Sequence, residues 1–185
     1  MIITVPNPVL TTPAKAVKKI DKKILKIIKM MKKDLGEKNN PKGVGLAAPQ
    51  IGVGLRIFIT KPTLRSEART FINPEIVSKS DLMEVVQRPV EKKNKSEDLK
   101  LEGCLSIVNI WGYLKRNQKV RLKFMDESGK ARQEDFSGFM ATIIQHEIDH
   151  LDGILFTQKV LEQGEKLYKI KKGVNSEEIL QEIKV

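Results

Sequence analysis

Cysteine is almost missing from this 185-residue chain: Cys104 stands alone, so no internal disulfide can form and nothing points to an oxidising compartment. Histidine is nearly as scarce, with two copies, and aromatic residues make up only 5%. Base stacking therefore has little to work with, and any contact with nucleic acid would be electrostatic. No run of about 18 apolar residues occurs, and Met1 to Pro6 lacks the charged and then apolar pattern of an export signal. A soluble, cytoplasmic protein that does not enter membranes is the expectation, with a monomer as the simplest state. Acidic residues are also under-represented. The 23 Asp and Glu face 34 Lys and Arg, for a net charge of +11, which favours anionic partners such as RNA or a lipid surface; a solvated Lys-rich surface accounts for it equally well.

What is present fits one domain of α+β class: short antiparallel strands around a central helix, with an N-terminal helix and a C-terminal helix. Ile24, Leu25, Ile27, Ile28, Met31 and Leu35 recur at helical spacing after a capping Asp21, with Ile20 placed to staple onto Leu25 and Gly36 to end the helix. The breakers in 39–45 predict a loop. Strand patterns cover 55–60, 70–77 and 82–86, and 119–126 meets 130–136 across Glu127-Ser128-Gly129 as a hairpin. The polar stretch from Pro89 to Lys100 predicts an exposed loop. The central helix is expected from Ser137 as cap to Asp152, with Gly153 ending it, and a last helix from Ser176 to Lys184.

The chemistry centres on His146-Glu147-Ile148-Asp149-His150. Histidines four apart on a helix present both imidazoles from one face to a shared divalent ion. Glu147, beside that face, can take a proton from water as the water attacks a carbonyl. A hydrolytic metal site needs a third protein ligand and an open position. The pattern with a third histidine six residues on fails, because Phe156 stands there. Glu162 or Glu165 would make a glutamate-ligand peptidase, but neither lies on an apolar helical stripe. Cys104, in Glu102-Gly103-Cys104-Leu105-Ser106, is the better candidate: glycine allows close backbone approach and a thiolate is a soft ligand, although a lone Cys is also common core filler. The segment Gly43-Val44-Gly45-Leu46-Ala47-Ala48-Pro49-Gln50 is built to line a cleft, and Gln50 either supplies an amide to an oxyanion or caps a turn.

These three segments, in this order and without a substitution, resemble the signature motifs of the peptide deformylase family. The likeness extends to Ile3–Pro8, Phe71-Ile72-Asn73-Pro74, Arg116 and Leu151–Phe156, covering roughly the first 160 residues, and then fades. It implies that Cys104, His146 and His150 bind one divalent metal, natively ferrous iron, which nickel, cobalt or zinc can replace. It implies Glu147 as general base, the Gln50 side chain and the Leu105 backbone amide as oxyanion donors, and Gly45 against the substrate backbone. The implied reaction removes the N-formyl group from the initiating methionine of new polypeptides and releases formate.

Two departures stand near the second motif: Val108-Asn109 replaces a frequent Pro-Gly, and Leu101 a frequent glutamate. Gly103 is expected at the substrate. Phe139, Thr142 and Ile143 precede His146 by seven, four and three, so they share its helix face and could line a methionine pocket with Val44 opposite; core packing is the alternative for Phe139 and Ile143. Residues 1–160 form the expected catalytic domain, with 161–185 a basic segment and helix, either part of the same unit or a tail. Because the substrates emerge at the ribosome, the region Lys159–Lys172 or the final helix is a candidate docking surface. The competing readings are a peptidase and a basic RNA-binding protein with a structural metal site.

Overall fold

The computed structural model describes residues 2–37, 43–63, 65–86, 100–172 and 178–184. Along the chain it contains α1 (Lys22–Gly36), β1 (Gly45–Ala47), β2 (Ile57–Thr60), β3 (Arg69–Lys79), β4 (Met83–Val85), β5 (Glu102–Cys104) and β6 (Ile107–Gly112). There follow β7 (Lys115–Asn117), β8 (Lys119–Met125), β9 (Ala131–Ser137), α2 (Gly138–Leu151), α3 (Phe156–Glu162), β10 (Leu167–Lys172) and β11 (Glu178–Ile183). Every pairing between these strands is antiparallel, in a five-stranded sheet β1-β2-β3-β8-β9, a four-stranded sheet β11-β10-β6-β5 and the pair β4-β7. This is the expected α+β architecture.

The period-two alternation of β1, β2 and β3 decides where each helix sits. Leu46, Ile57, Ile59 and Ile72 face one side and pack with Ile24, Ile28, Met31 and Leu35 of α1. Ala47, Phe58 and Phe71 face the other and pack with Ala141, Ile144, Ile148 and Leu151 of α2. The sheet thus separates α1 from the central helix. A third cluster, Cys104, Ile107, Leu114, Phe156, Val160 and Leu167, joins α3 to the second sheet.

Local chemistry explains most of the boundaries and some of the differences. Asp21 caps α1 as expected, its carboxylate accepting from the Ile24 amide at 3.0 Å. Leu25, the expected staple partner of Ile20, is 43% exposed, and the buried residue of that turn is Ile24. Ser137 precedes α2, but its side chain makes no capping bond. Gly153 ends that helix with φ +73°, and a Cβ there would come within 2.8 Å of the Thr11 backbone. The β8-β9 hairpin turns where expected, with Gly129 at φ +84° and the Asp126 carboxylate accepting from the Ser128 and Lys130 amides.

One expected element is a different structure. In place of a final helix, the described part of 176–184 is the strand β11, paired with β10 so that Leu180 meets Ile170 and Ile183 meets Leu167. A nine-residue helix is marginal by itself in water, whereas β10, already paired with β6, offers a full ladder of backbone partners. The loop expected at 89–100 lies outside the described residues except for Lys100, and 39–42 lies outside them too.

Candidate metal centre

Cys104, His146 and His150 come together. One ligand atom from each lies within 4.8 Å of the others, and the Cys104 Sγ is 3.1 Å from the His150 Nε2. Helical spacing on α2 brings in the histidines; β5, too short to announce itself in the sequence, brings in the thiol. Three donors of thiolate and imidazole type on one side of a small space suit a divalent transition metal with an open fourth position. Burial pushes the thiol up, but His150 and His146 beside it prevail and bring it down to about 5, so it is a thiolate at neutral pH.

His146 is oriented from behind. Its Nδ1 lies 2.7 Å from the Glu102 Oε1, which leaves Nε2 for the ion. Glu102 in turn accepts from Arg116 Nε at 2.8 Å and Nη2 at 2.6 Å, while Arg116 Nη1 donates to Asp149 Oδ2 at 2.8 Å. Burial works against the ionised Glu102, but the Arg116 guanidinium outweighs it and holds the carboxyl far below its usual range. These positioning residues were not among the candidates from sequence. A signal existed: Glu102 and Cys104 are two apart on one strand and share a face, and a metal-binding imidazole calls for a carboxylate on its other nitrogen.

Gln50 serves as both turn cap and site residue. Its Oε1 accepts from the Ala47 amide at 2.8 Å, which fixes the side chain, and its Nε2 points to Cys104 Sγ at 3.5 Å and Ser106 Oγ at 3.2 Å. Leu105 sits between those two residues in the turn after β5, with its side chain packed toward the α1 cluster. Glu147 is 3% exposed, and its Oε2 is buried without a hydrogen-bond partner among the described residues. Burial pushes this carboxyl up to about 7 against the pull of His146 and His150. An unpartnered carboxylate poised near neutrality beside three candidate ligands is suited to moving a proton.

The family model described as Polypeptide deformylase matches residues 1–166. The chain belongs to the peptide deformylase family. A peptide deformylase of Dehalococcoides mccartyi is 38% identical over 169 residues, spanning 91% of this chain and 90% of the relative. Peptide deformylase 1 of Bacillus subtilis is 36% identical over 159 residues, spanning 86% and 88%. The crystal structure of the Thermotoga maritima peptide deformylase superposes with a TM-score of 0.73 at 31% identity, covering 86% of this chain and 96% of that one. That of Synechococcus elongatus, in complex with actinonin, gives 0.72 at 30% identity, covering 86% and 78%.

Within this deformylase fold the remaining candidates divide. Gly45 lies against the site: a Cβ there would come within 2.2 Å of the Glu147 Oε1 and 2.9 Å of the Ile143 Cγ2. Ile143 is accordingly buried beside Glu147, with Val44, Phe139 and Thr142 half-buried. Thr142 donates weakly to the Gly138 carbonyl, at 3.4 Å. Gly103 has an evident packing reason to be glycine, since a Cβ there would meet the Trp111 ring at 2.7 Å. Asn109 takes φ +61°, a conformation asparagine tolerates better than most residues. Gly45→Ala should displace the Glu147 carboxylate and lower kcat about a hundredfold with the fold intact. Turnover within twofold of the parent would show that this contact does not hold the carboxylate in place.

Proposed function

We propose that this chain hydrolyses the N-formyl group of the initiating methionine on new polypeptides, yielding formate and a free amine. The observation that carries the reading is the Cys104, His146 and His150 cluster with the buried, unpartnered Glu147 carboxylate at its side. A bound divalent ion would act as a Lewis acid, acidifying water and polarising the formyl carbonyl. Glu147 accepts the proton of the attacking water and delivers it to the leaving nitrogen. The Gln50 amide and the Leu105 backbone N–H stabilise charge on the formyl oxygen. Gly45 and Gly103 meet the peptide backbone through their own main chain, and Ile143, Phe139, Thr142 and Val44 receive the methionine side chain. Glu102 keeps the His146 ring in its ligating tautomer.

The donor set accepts several divalent ions; ferrous iron, which the family resemblance implies, is the proposed native one, with nickel, cobalt or zinc able to replace it. Residues 161–185 belong to the same catalytic unit as 1–160, a reading supported by the pairing of β10 with β6. The setting is the cytoplasm, the molecule a monomer, and the substrate a nascent chain at the ribosome, whose surface the basic residues contact. No helix among the described residues is long and apolar enough to cross a membrane.

The test is direct. Protein purified without oxygen should release formate from a formyl-Met peptide, lose the activity to a chelator and regain it with ferrous or nickel ion. No formate from the metal-loaded protein would overturn the proposal. Cleavage of internal peptide bonds would transfer the site to a peptidase.

A further inference from the structure

We infer that the outer face of α1 is a docking ridge for the phosphate backbone of structured RNA. Lys22, Lys26, Lys29 and Lys33 are four, three and four residues apart, so on a helix they fall within about 60° of arc and form a straight row roughly 16 Å long. All four are exposed, on the side opposite the buried Ile24, Ile28, Met31 and Leu35. Residues 15–33 contain nine lysines and one acid, Asp21, whose carboxylate is occupied in capping the helix. Lys22, Lys26 and Lys29 form no ion pair with a described residue; Lys33 has only an exposed contact with Glu37 at 3.8 Å.

The C-terminal segment makes a poorer docking surface. There Lys166 is paired with Glu182 at 2.7 Å, and Lys159 with Glu162 at 2.8 Å.

A row of unpaired ammonium groups attracts a polyanion by releasing its counterions, and each phosphate neutralised adds to the salt dependence of binding. A membrane is the weaker match. A helix that lies in a lipid surface must insert its apolar face, and here that face is buried against β1, β2 and β3, leaving only Leu25 and Met30 exposed, each 43%. The absence of aromatic residues from α1 argues for duplex RNA, recognised by shape and charge, over unpaired bases. The five-stranded sheet separates the ridge from α2, so RNA held there leaves the metal centre free. The choice of RNA rests on the proposed function, because new polypeptides are made on an RNA machine.

The experiment measures binding of a fluorescent RNA hairpin of about 20 base pairs to the full chain across a salt series. The triple variant Lys22→Gln, Lys26→Gln, Lys29→Gln should bind at least ten times more weakly at low salt, with the slope of log affinity against log salt reduced by about 2 to 3. A control removing the same charge from the exposed Lys119, Lys123 and Lys130 of the β8-β9 hairpin should lose less than threefold. Equal losses in both variants, no binding by the parent protein, or preferential binding to vesicles with a quarter phosphatidylglycerol would each overturn the inference. The assay contains no formyl peptide, so its failure and a failure of deformylation are read separately.

Discussion

Glu147→Gln should fold, retain Cys104, His146 and His150 in place, and turn over a formyl-Met peptide roughly a thousandfold more slowly than the parent. Glutamine has nearly the shape of glutamate, so the packing of Gly45 and Ile143 around it survives. What is lost is the ability to accept a proton, since an amide at this position cannot replace a carboxylate that titrates at about 7. A second readout separates this from structural damage. The unfolded carboxyl titrates near 4.5 and the folded one at about 7, so between those values the folded state of the metal-stripped protein holds more protons. Its stability should therefore fall as pH rises through that window, and the glutamine variant should lack that component. A variant retaining a tenth or more of parental kcat would remove Glu147 from the proton transfer.

Arg116→Ala should be the most destabilising single change near the site. Arg116 and Glu102 have side chains 7% and 6% exposed, and Asp149 is only 17% exposed. Removing the guanidinium strands two carboxylates away from water. Breaking a buried pair in this way costs about 3–5 kcal/mol, or roughly 10 °C in Tm for a domain of this size. The same change frees Glu102 and loosens its grip on His146, so metal affinity should fall about 10- to 100-fold. Arg116→Lys keeps one charge but cannot serve Glu102 with two donors and Asp149 with a third, and should fall between the two. Unfolding of Arg116→Ala within 2 °C of the parent, as measured by calorimetry, would show that the network contributes little to the fold.

Strong periodicity made the centre readable in advance. His146, Glu147 and His150 declared themselves because a helix repeats every 3.6 residues, and Cys104 because two histidines called for a third ligand that a thiolate in a glycine-bearing turn could supply. Gln50 was ambiguous between cap and donor, and the ambiguity dissolves because its two ends do different work. Three-residue strands such as β1, β5 and β7 leave no alternation to detect, so the partnership of Glu102 with Arg116 was invisible as a contact. The short α3 offered only Phe156 and Val160 as a buried pair, too little for a helical stripe. The final segment went the other way: Glu177, Glu178 and Lys184 suit a helix dipole, yet pairing with β10 prevailed, a tertiary choice that local propensity does not register.

The centre lies where the two larger sheets meet. Cys104 and Glu102 come from the four-stranded sheet, while Gln50 follows β1 of the five-stranded sheet and the histidines ride on the helix packed against it. Ser106 continues this seam, accepting from Gln50 through its hydroxyl and from the Val5 amide through its carbonyl. The groups proposed to perform the chemistry also make contacts that join the elements on either side of this seam. Many harmful substitutions along this line would therefore reach a cell as reduced abundance, through quality control acting on opened molecules, as well as reduced rate. Selection on catalysis and selection on protein level would then fall on the same handful of positions.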